Sequence, residues 1–192
     1  MQAAEAIPVA QERAQSHART GMVLFLVSEA FLFGSLFWTY YYLRAASSVW
    51  PPQDVHLTLV LVIPNTIILL TSSLTFWLST VAIRKNSPGG LAVGLLLTII
   101  LGIAFLIITG FEWMRETFRP WSNAYGSIFF TLTGFHALHV FGGIMLMLFL
   151  FIRTVRNRFS SSNYLPVEIG SLYWHFVDFI WLIVFTTIFI IR

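Results

Sequence analysis

The chain has 192 residues, of which 57% are hydrophobic and only 10% are charged, and its formal net charge is +3. A soluble domain carries about 25% charged residues, so this composition excludes a soluble globular protein and predicts an integral membrane protein. The sequence contains no cysteine, which excludes disulfides, thiolate catalysis, iron–sulfur clusters and copper–thiolate sites.

Five hydrophobic segments follow a polar N-terminal stretch. Residues 1–20 are polar and alanine-rich and lack the apolar core of a signal peptide, so we expect an uncleaved cytoplasmic tail. Each later segment is long enough to cross a bilayer, which takes about 20 residues. The approximate bounds of these segments are 21–43, 57–83, 91–111, 125–152 and 169–191. The sequence therefore predicts an all-α integral membrane protein, in which residues 21–192 form a single domain, a five-transmembrane-helix bundle.

Glu29 lies inside the first predicted helix, where the run from Met22 to Leu43 is otherwise uncharged. A carboxylate in such a segment costs about 3 kcal/mol even on insertion scales, so Glu29 is a functional candidate. No side chain at three- or four-residue spacing from Glu29 can form a hydrogen bond with its carboxyl. These neighbours are Phe25, Leu26, Leu32 and Phe33. We expect Glu29 either to be protonated or to find a partner on another helix or chain. A structural hydrogen bond and a proton-exchanging role both remain open.

Five further ionisable residues lie at membrane depth or at its edge. His136 and His139 are three residues apart on the fourth helix, so they share a face, and His175 and Asp178 have the same spacing on the fifth. Glu112 closes the third helix. Three histidines and an acid could ligate iron or copper, or these residues could form a polar seam that holds the helices together. We favour the seam, because interhelical polar contacts are common in membrane bundles and contribute roughly 0.6 kcal/mol each.

Glu112 and Arg115 lie near the end of the third predicted helix. For Glu112 we expect a headgroup-level salt bridge with Arg115, three residues later.

The aromatic surroundings of the histidines do not suggest a haem, which requires axial ligands in a roomy pocket. We therefore expect no haem, copper or iron on this chain.

The eleven basic residues lie in tails and loops between the apolar runs, so they predict topology and not nucleic-acid binding. Seven fall on the side of the N-terminus: Arg13, Arg19, Arg84, Lys85, Arg153, Arg156 and Arg158. Four fall on the other side: Arg44, Arg115, Arg119 and Arg192. The positive-inside rule then predicts a cytoplasmic N-terminus and a periplasmic C-terminus.

Four runs in the chain, in this order, resemble one known family. They are MVLFLVSEAFLFGSLFW, IPNTIILLTSSLTFW, YGSIFFTLTGFHALHVFGG and YWHFVDFIWLIVF. They resemble the glutamate-bearing helix, the next helix, the Gly-Phe-His-x-x-His-Val helix and the closing Trp-His-Phe-Val-Asp helix of subunit III of haem–copper oxidases. The resemblance covers essentially everything from Thr20 to Ile191. Some members have seven helices, and this chain is similar to the short five-helix bacterial form.

The resemblance implies a non-redox accessory subunit of a proton-pumping terminal oxidase in the bacterial cytoplasmic membrane. Such a subunit would bind subunit I directly, assemble with subunit II and the other subunits, and be enzymatic only as part of the complex. The haems and copper would lie in partner subunits, and this chain would bind phospholipid.

By motif, Glu29 matches the family's membrane glutamate, which supports proton uptake and the stability of the oxygen-reducing subunit I. Glu112, His136, His139, His175 and Asp178 match its polar seam. Arg153 resembles a position that meets lipid phosphate. Alternatives are a subunit of a quinol oxidase or nitric oxide reductase, and a stand-alone proton-coupled transporter. Such transporters often have broken helices, and only Pro64 interrupts a helix here.

Overall fold

Five long helices make up almost all of the computed structural model, which describes residues 2–53, 55, 57 and 59–191 and the side chains from residue 13 onward. In chain order the helices are α1 Gln2–Ala46, α2 Leu59–Arg84, α3 Pro88–Arg115, α4 Ala124–Val155 and α5 Leu165–Phe185. A π-helical segment, Thr186–Ile191, extends α5. All five helices are long and apolar enough to cross a membrane, which confirms the predicted fold class.

The helix boundaries agree with the sequence to within a few residues, except at the start of α1. This helix begins at Gln2 and continues unbroken to Ala46, so residues 2–20 extend the predicted first helix instead of forming a separate element. The reason is local, because residues 9–20 are rich in Ala, Gln, Glu and Arg, which favour helix, and contain neither glycine nor proline. α2 also continues through Pro64 as one helix.

α2 and α4 end in the same way, with an asparagine in the left-handed conformation. Asn86 has φ of 56° and Asn157 has φ of 52°. In each case the next residue donates its backbone N–H to a carbonyl five residues back, from Ser87 to Ala82 and from Arg158 to Arg153. Asparagine tolerates this conformation and closes the last carbonyls of a helix, so both helices stop where their basic loops begin.

α2 and α3 pack most closely, because small residues face each other across their interface. A Cβ added at Gly94 would lie 2.4 Å from the Cβ of Ser79. One turn further on, the hydroxyls of Thr75 and Thr98 are 2.8 Å apart. Small residues let two backbones approach in the absence of a hydrophobic driving force between helices, so this pair forms a rigid hairpin.

α5 lies at the centre of the bundle and is fastened to α2 by two buried tryptophans. The indole of Trp174 donates to the Ser72 hydroxyl at 3.0 Å, and that of Trp181 donates to the Thr66 hydroxyl at 3.0 Å. Both rings are essentially inaccessible. Buried indole N–H groups need acceptors, so these pairs set the register of the antiparallel α2–α5 contact.

α1 is the most peripheral helix and packs mainly on α4 and α5. Only 6% of its best membrane-spanning window is buried, against 33–50% for the other helices. Exposed aromatic and aliphatic side chains such as Leu24, Phe31 and Trp38 cover its outer surface. This face meets lipid or other chains.

Candidate functional site

Glu29 has its partner on a different helix. Its Oε2 lies 2.9 Å from Nε2 of His139 on α4. The side chains are 16% and 15% exposed respectively, so the pair is shielded but not sealed. The sequence predicted that Glu29 is either protonated or paired with a group on another helix or chain. The structure pairs it with a histidine of another helix.

The imidazole of His139 is held in one tautomer. Its Nδ1 lies 2.7 Å from the carbonyl oxygen of Phe135, which can only accept a hydrogen bond, so Nδ1 carries a proton. The ring of Phe33 packs edge-on against the imidazole, with centroids 5.0 Å apart. Nε2, the other ring nitrogen, therefore faces Oε2 of Glu29.

Tyr173 of α5 supports the same pair from behind. Its hydroxyl donates to the backbone carbonyl of His139 at 3.0 Å, and its ring stacks on that of Phe25, with centroids 6.3 Å apart. One tyrosine thus connects α5 to both helices that carry the pair. Tyr173 is not distinctive in the sequence, because its three-residue spacing from Phe176 resembles ordinary packing.

The second histidine of α4 has a different environment from His139. His136 is 1% exposed, and its ring packs against those of Phe105 and Trp181 with centroid distances of 5.7 and 4.9 Å. Neither ring nitrogen has a hydrogen-bond partner among the described residues. His136 thus packs as an aromatic ring between α3 and α5.

His175 and Asp178 belong to the α2–α5 contact. Nδ1 of His175 is hydrogen bonded to the hydroxyl of Ser73, and Nε2 lies 3.1 Å from the hydroxyl of Ser171. Asp178 is 4% exposed. It faces Ser73 but makes no well-aligned hydrogen bond within the described part of the chain. These two residues meet α2, whereas His139 meets α1, so the predicted seam divides into separate contacts.

The expected salt bridge between Glu112 and Arg115 does not form. Glu112 is 6% exposed, and its Oε1 has no hydrogen-bond partner among the residues that are described, whereas the Arg115 side chain is exposed. Glu112 turns into the bundle and Arg115 turns away from it. The carboxyl nearer the end of α3 is Glu116, whose pKa burial raises from 4.5 to about 7.

Asn65 is a further buried polar residue, outside the predicted polar seam. Its side-chain amide donates to the carbonyl of Phe105 at 3.2 Å and to the hydroxyl of Thr109 at 3.0 Å. It follows Pro64 and joins α2 to α3. The signal was present, because Asn65 is the one carboxamide residue inside the five predicted segments.

Arg153 lies at the end of α4 between two aromatic rings. Its guanidinium carbon is 5.7 Å from the ring centroid of Phe149 and 5.3 Å from that of Phe159. No carboxylate pairs with it among the described side chains. Cation–π contacts hold a guanidinium in place and leave its N–H groups free to meet an anion.

Within the described ranges, no three His, Asp or Glu side chains gather closely enough to hold a metal ion. His139 is bonded to Glu29 and Phe135, and His175 to two serines.

Comparisons with known proteins agree on one family. A family model described as cytochrome c oxidase subunit III matches residues 9–191. A probable cytochrome c oxidase subunit 3 of Nocardia farcinica is 38% identical over 176 residues, which is 90% of this chain and 87% of that protein. The cytochrome c oxidase subunit 3 of Myxine glutinosa is 37% identical over 91% of this chain and 70% of its own length. That of Thermostichus vulcanus is 36% identical over 89% and 86%. The chain therefore belongs to the cytochrome c oxidase subunit III family and is a multi-pass membrane subunit of a haem–copper oxidase.

Proposed function

We propose that this chain supports proton uptake into the oxygen-reducing subunit I and stabilises that subunit, without a redox centre of its own. The observation that carries the proposal is the Glu29–His139 pair, in which an acid and a base from two helices lie 2.9 Å apart. A pair of this kind can accept a proton from one side and release it to another without any electron transfer.

The position of the pair favours contact with a neighbouring chain. Glu29 belongs to α1, the helix that the rest of the bundle covers least. Large apolar side chains above and below it, Leu24 and Phe31, are 65% and 77% exposed. A partner helix that packs on this face would bring its own proton path within reach of Glu29. We propose that subunit I is this partner, with subunit II and the other oxidase subunits in the same complex.

The proposed orientation places the N-terminus in the cytoplasm and the C-terminus in the periplasm of a bacterial inner membrane. Arg19 and Arg84 support it, because both pair with Glu168, at 2.9 and 3.2 Å, and so lie at the same end of the bundle. Basic residues of α1 and of the end of α2 therefore converge on one surface, at the acidic start of α5. The positive-inside rule requires such a basic surface of a cytoplasmic face.

Arg153 is proposed to bind a phospholipid phosphate. Its guanidinium rests between Phe149 and Phe159, at the end of a membrane-spanning helix where headgroups lie. A phosphate accepts two parallel N–H bonds from a guanidinium, which a free arginine in this position offers.

The haems and copper are proposed to lie in the partner subunits, and the electron donor to be cytochrome c. A role in a quinol oxidase or a nitric oxide reductase is the second candidate, since the pair of Glu29 and His139 would serve either complex. The stand-alone transporter has less support, because α2 continues through Pro64 and no helix in the described residues is broken at mid-membrane.

The proposal is tested with Glu29→Gln in the assembled oxidase. The substitution keeps the shape and a hydrogen-bonding group but removes titration. We expect a normal haem spectrum, slower proton uptake at high pH and earlier loss of activity during sustained turnover. Ser28→Ala is the matched control, because the Ser28 hydroxyl bonds only to its own helix, at the Phe25 carbonyl. An unchanged pH profile together with an unchanged working lifetime would reduce Glu29 to a packing residue.

A further inference from the structure

A cleft with mixed polar and apolar walls enters the bundle between α1, α2 and α5. Its volume is about 470 Å³, far above the ~10–15 Å³ that one water molecule occupies by the same measure. Arg19, Arg84 and Glu168 stand at the mouth, and the two arginine side chains are 53% and 52% exposed. The mouth is therefore open to the aqueous surface at this end of the bundle.

The inner part of the cleft is lined by hydrogen-bonding groups. Ser171 and His175 lie along it, on the same face of α5 as Glu168, at spacings of three and four residues. Beyond its contact with Nε2 of His175, the Ser171 hydroxyl keeps capacity for a further hydrogen bond, which water can make and an acyl chain cannot. The cleft thus carries polar groups at both ends, although its walls between them are largely apolar, from Val23, Trp77, Val81 and Leu172.

A chain of hydrogen bonds continues from the cleft to the core. The Ser171 hydroxyl lies 3.1 Å from Nε2 of His175, and Nδ1 of His175 is bonded to the Ser73 hydroxyl. Ser73 faces the carboxyl of Asp178. Both oxygens of Asp178 are buried and lack a hydrogen-bond partner in the described part of the chain, so the chain ends on an acceptor with free capacity.

We propose that the cleft is a water-filled half-channel through which the buried carboxyl of Asp178 exchanges protons with the membrane surface at the Arg19–Arg84 end. The proposal goes beyond the role of Glu29, since it concerns another carboxyl and another pair of helices.

This chain of hydrogen bonds can move a proton because all of its hydrogen bonds can point in either of two directions. In one, Ser171 donates to Nε2 of His175, Nδ1–H donates to Ser73, and the Ser73 hydroxyl points to Asp178. In the other, every donor and acceptor is reversed, and Asp178 carries the proton. A proton that enters from water at Ser171 is thereby matched by one delivered to Asp178, and no electron moves. The last step needs a small rotation of Ser73, because its hydroxyl is not yet aligned on the carboxyl.

The charges at the mouth affect which species enter. Two arginines and one glutamate leave a net positive charge, which repels metal cations but admits water. No other charged side chain lines the cleft among the described residues. The half-channel is therefore suited to slow proton exchange and not to ion passage.

Hydration of the cleft is tested by thiol labelling, because the native chain has no cysteine. S171C is compared with F179C on the lipid-facing side of α5, where Phe179 is 60% exposed, and with S162C in an exposed loop. Each variant oxidase is treated in membranes with a charged, membrane-impermeant thiol reagent. We expect S171C to react at least about tenfold faster than F179C, because a charged reagent does not enter lipid. Equal, slow reaction of S171C and F179C would mean that lipid or a partner chain fills the cleft, and would overturn the proposal.

The route to Asp178 is tested by infrared spectroscopy of the assembled oxidase transferred into D₂O. We expect a protonated carboxyl band that is lost in D178N and that shifts promptly on deuteration in the wild type. H175L should lose the prompt shift. If the H175L oxidase does not assemble, S73A is used in its place, because this substitution removes only a hydroxyl. S73A should also lose the prompt shift. Absence of a band that depends on Asp178, or a prompt shift in the interrupted variant, would refute the route.

Discussion

At the scale of single residues, the defining feature is a carboxyl and an imidazole that meet across two helices. Glu29 is placed by α1 and His139 by α4, and the Phe135 carbonyl fixes which nitrogen of His139 faces the acid. The pair satisfies a carboxyl whose isolation in the membrane would otherwise be costly.

Glu116 should make the stability of the subunit depend on pH. Burial raises its pKa from 4.5 to about 7, so between these values the native state holds a proton that the unfolded state has lost. Stability is then fully present below about pH 4.5 and falls as pH rises through about 7, by roughly 1–3 kcal/mol. We expect the thermal midpoint for release of the subunit from purified oxidase to fall over this range.

Glu116→Gln should flatten this dependence, because glutamine does not titrate. Glu116→Asp is the control, since it keeps a buried titrating carboxyl and should keep the slope. A thermal midpoint with the same pH dependence in Glu116→Gln as in the wild type would show that the effect arises elsewhere.

At the scale of elements, the helices differ in how tightly they are held. α2 and α3 meet through glycine, serine and threonine, and α5 is fixed to α2 by indole hydrogen bonds. α1 has few buried residues and joins the bundle through the Glu29–His139 pair, the aromatic contacts around it and the Arg19–Glu168 salt bridge. The helix that is least buried in the subunit thus carries the candidate site.

Substitution of Gly94 should separate α2 from α3. An added Cβ would lie 2.4 Å from the Cβ of Ser79 and 3.1 Å from the Thr75 carbonyl oxygen, and neither the backbone nor a Cβ can rotate away. We expect Gly94→Ala to reduce the free energy of unfolding by about 1–3 kcal/mol. The measurement is the midpoint of detergent-induced unfolding.

Gly110→Ala is the matched control on the same helix, because nothing lies within 4 Å of an added Cβ there. It should be neutral or stabilising by up to about 1 kcal/mol, the difference in helix propensity. Equal midpoints for the two variants would contradict close contact at Gly94.

At the scale of the whole molecule, the chain is a five-helix subunit of a larger oxidase, and its surface reflects this. Large apolar residues cover α1, α3 and α4, as expected for a protein whose surroundings are lipid and other subunits. Charged groups gather at the ends, where Glu168 joins Arg19 and Arg84.

The topology prediction is a cytoplasmic N-terminus and a periplasmic C-terminus. A reporter that is active only outside the cytoplasm should give a signal when fused after Arg192. The same reporter inserted in the loop at Lys85 should be silent, since this loop holds part of the basic excess. The reverse pattern would mean the opposite orientation of the protein in the membrane, with the end that carries Arg19 and Arg84 outside the cytoplasm.

The subunit released intact from the oxidase should bind no stoichiometric haem, copper or iron. His139 and His175 are engaged by Glu29 and by serines, and His136 is enclosed by aromatic rings. Elemental analysis of the separated subunit decides this, with the complete complex as the positive control. One metal ion per chain would contradict it.

The amino-acid sequence by itself determined the membrane class, the five helices and nearly all of their ends. These depend on local properties: the length of each apolar run, the glycine, proline and asparagine residues between runs, and the preference of charged residues for water. Glu29 could be singled out for the same reason, because the free energy of an acid in lipid depends on its own segment. The start of α1 was predicted wrongly at residue 21. The apolar run begins there, but the helix-favouring residues 9–20 continue the same helix beyond that run.

Only the tertiary structure decided which polar groups meet. His136 and His139 are three residues apart and therefore about 60° apart around the helix axis, which is enough for one to face α1 and the other to face α3 and α5. Glu112 likewise turned inward, away from Arg115. Such choices depend on the positions of neighbouring helices, and these are set by contacts distant in sequence, such as Gly94 with Ser79 and Trp174 with Ser72. A single helix does not contain that information, because its side-chain pattern is compatible with several packing arrangements.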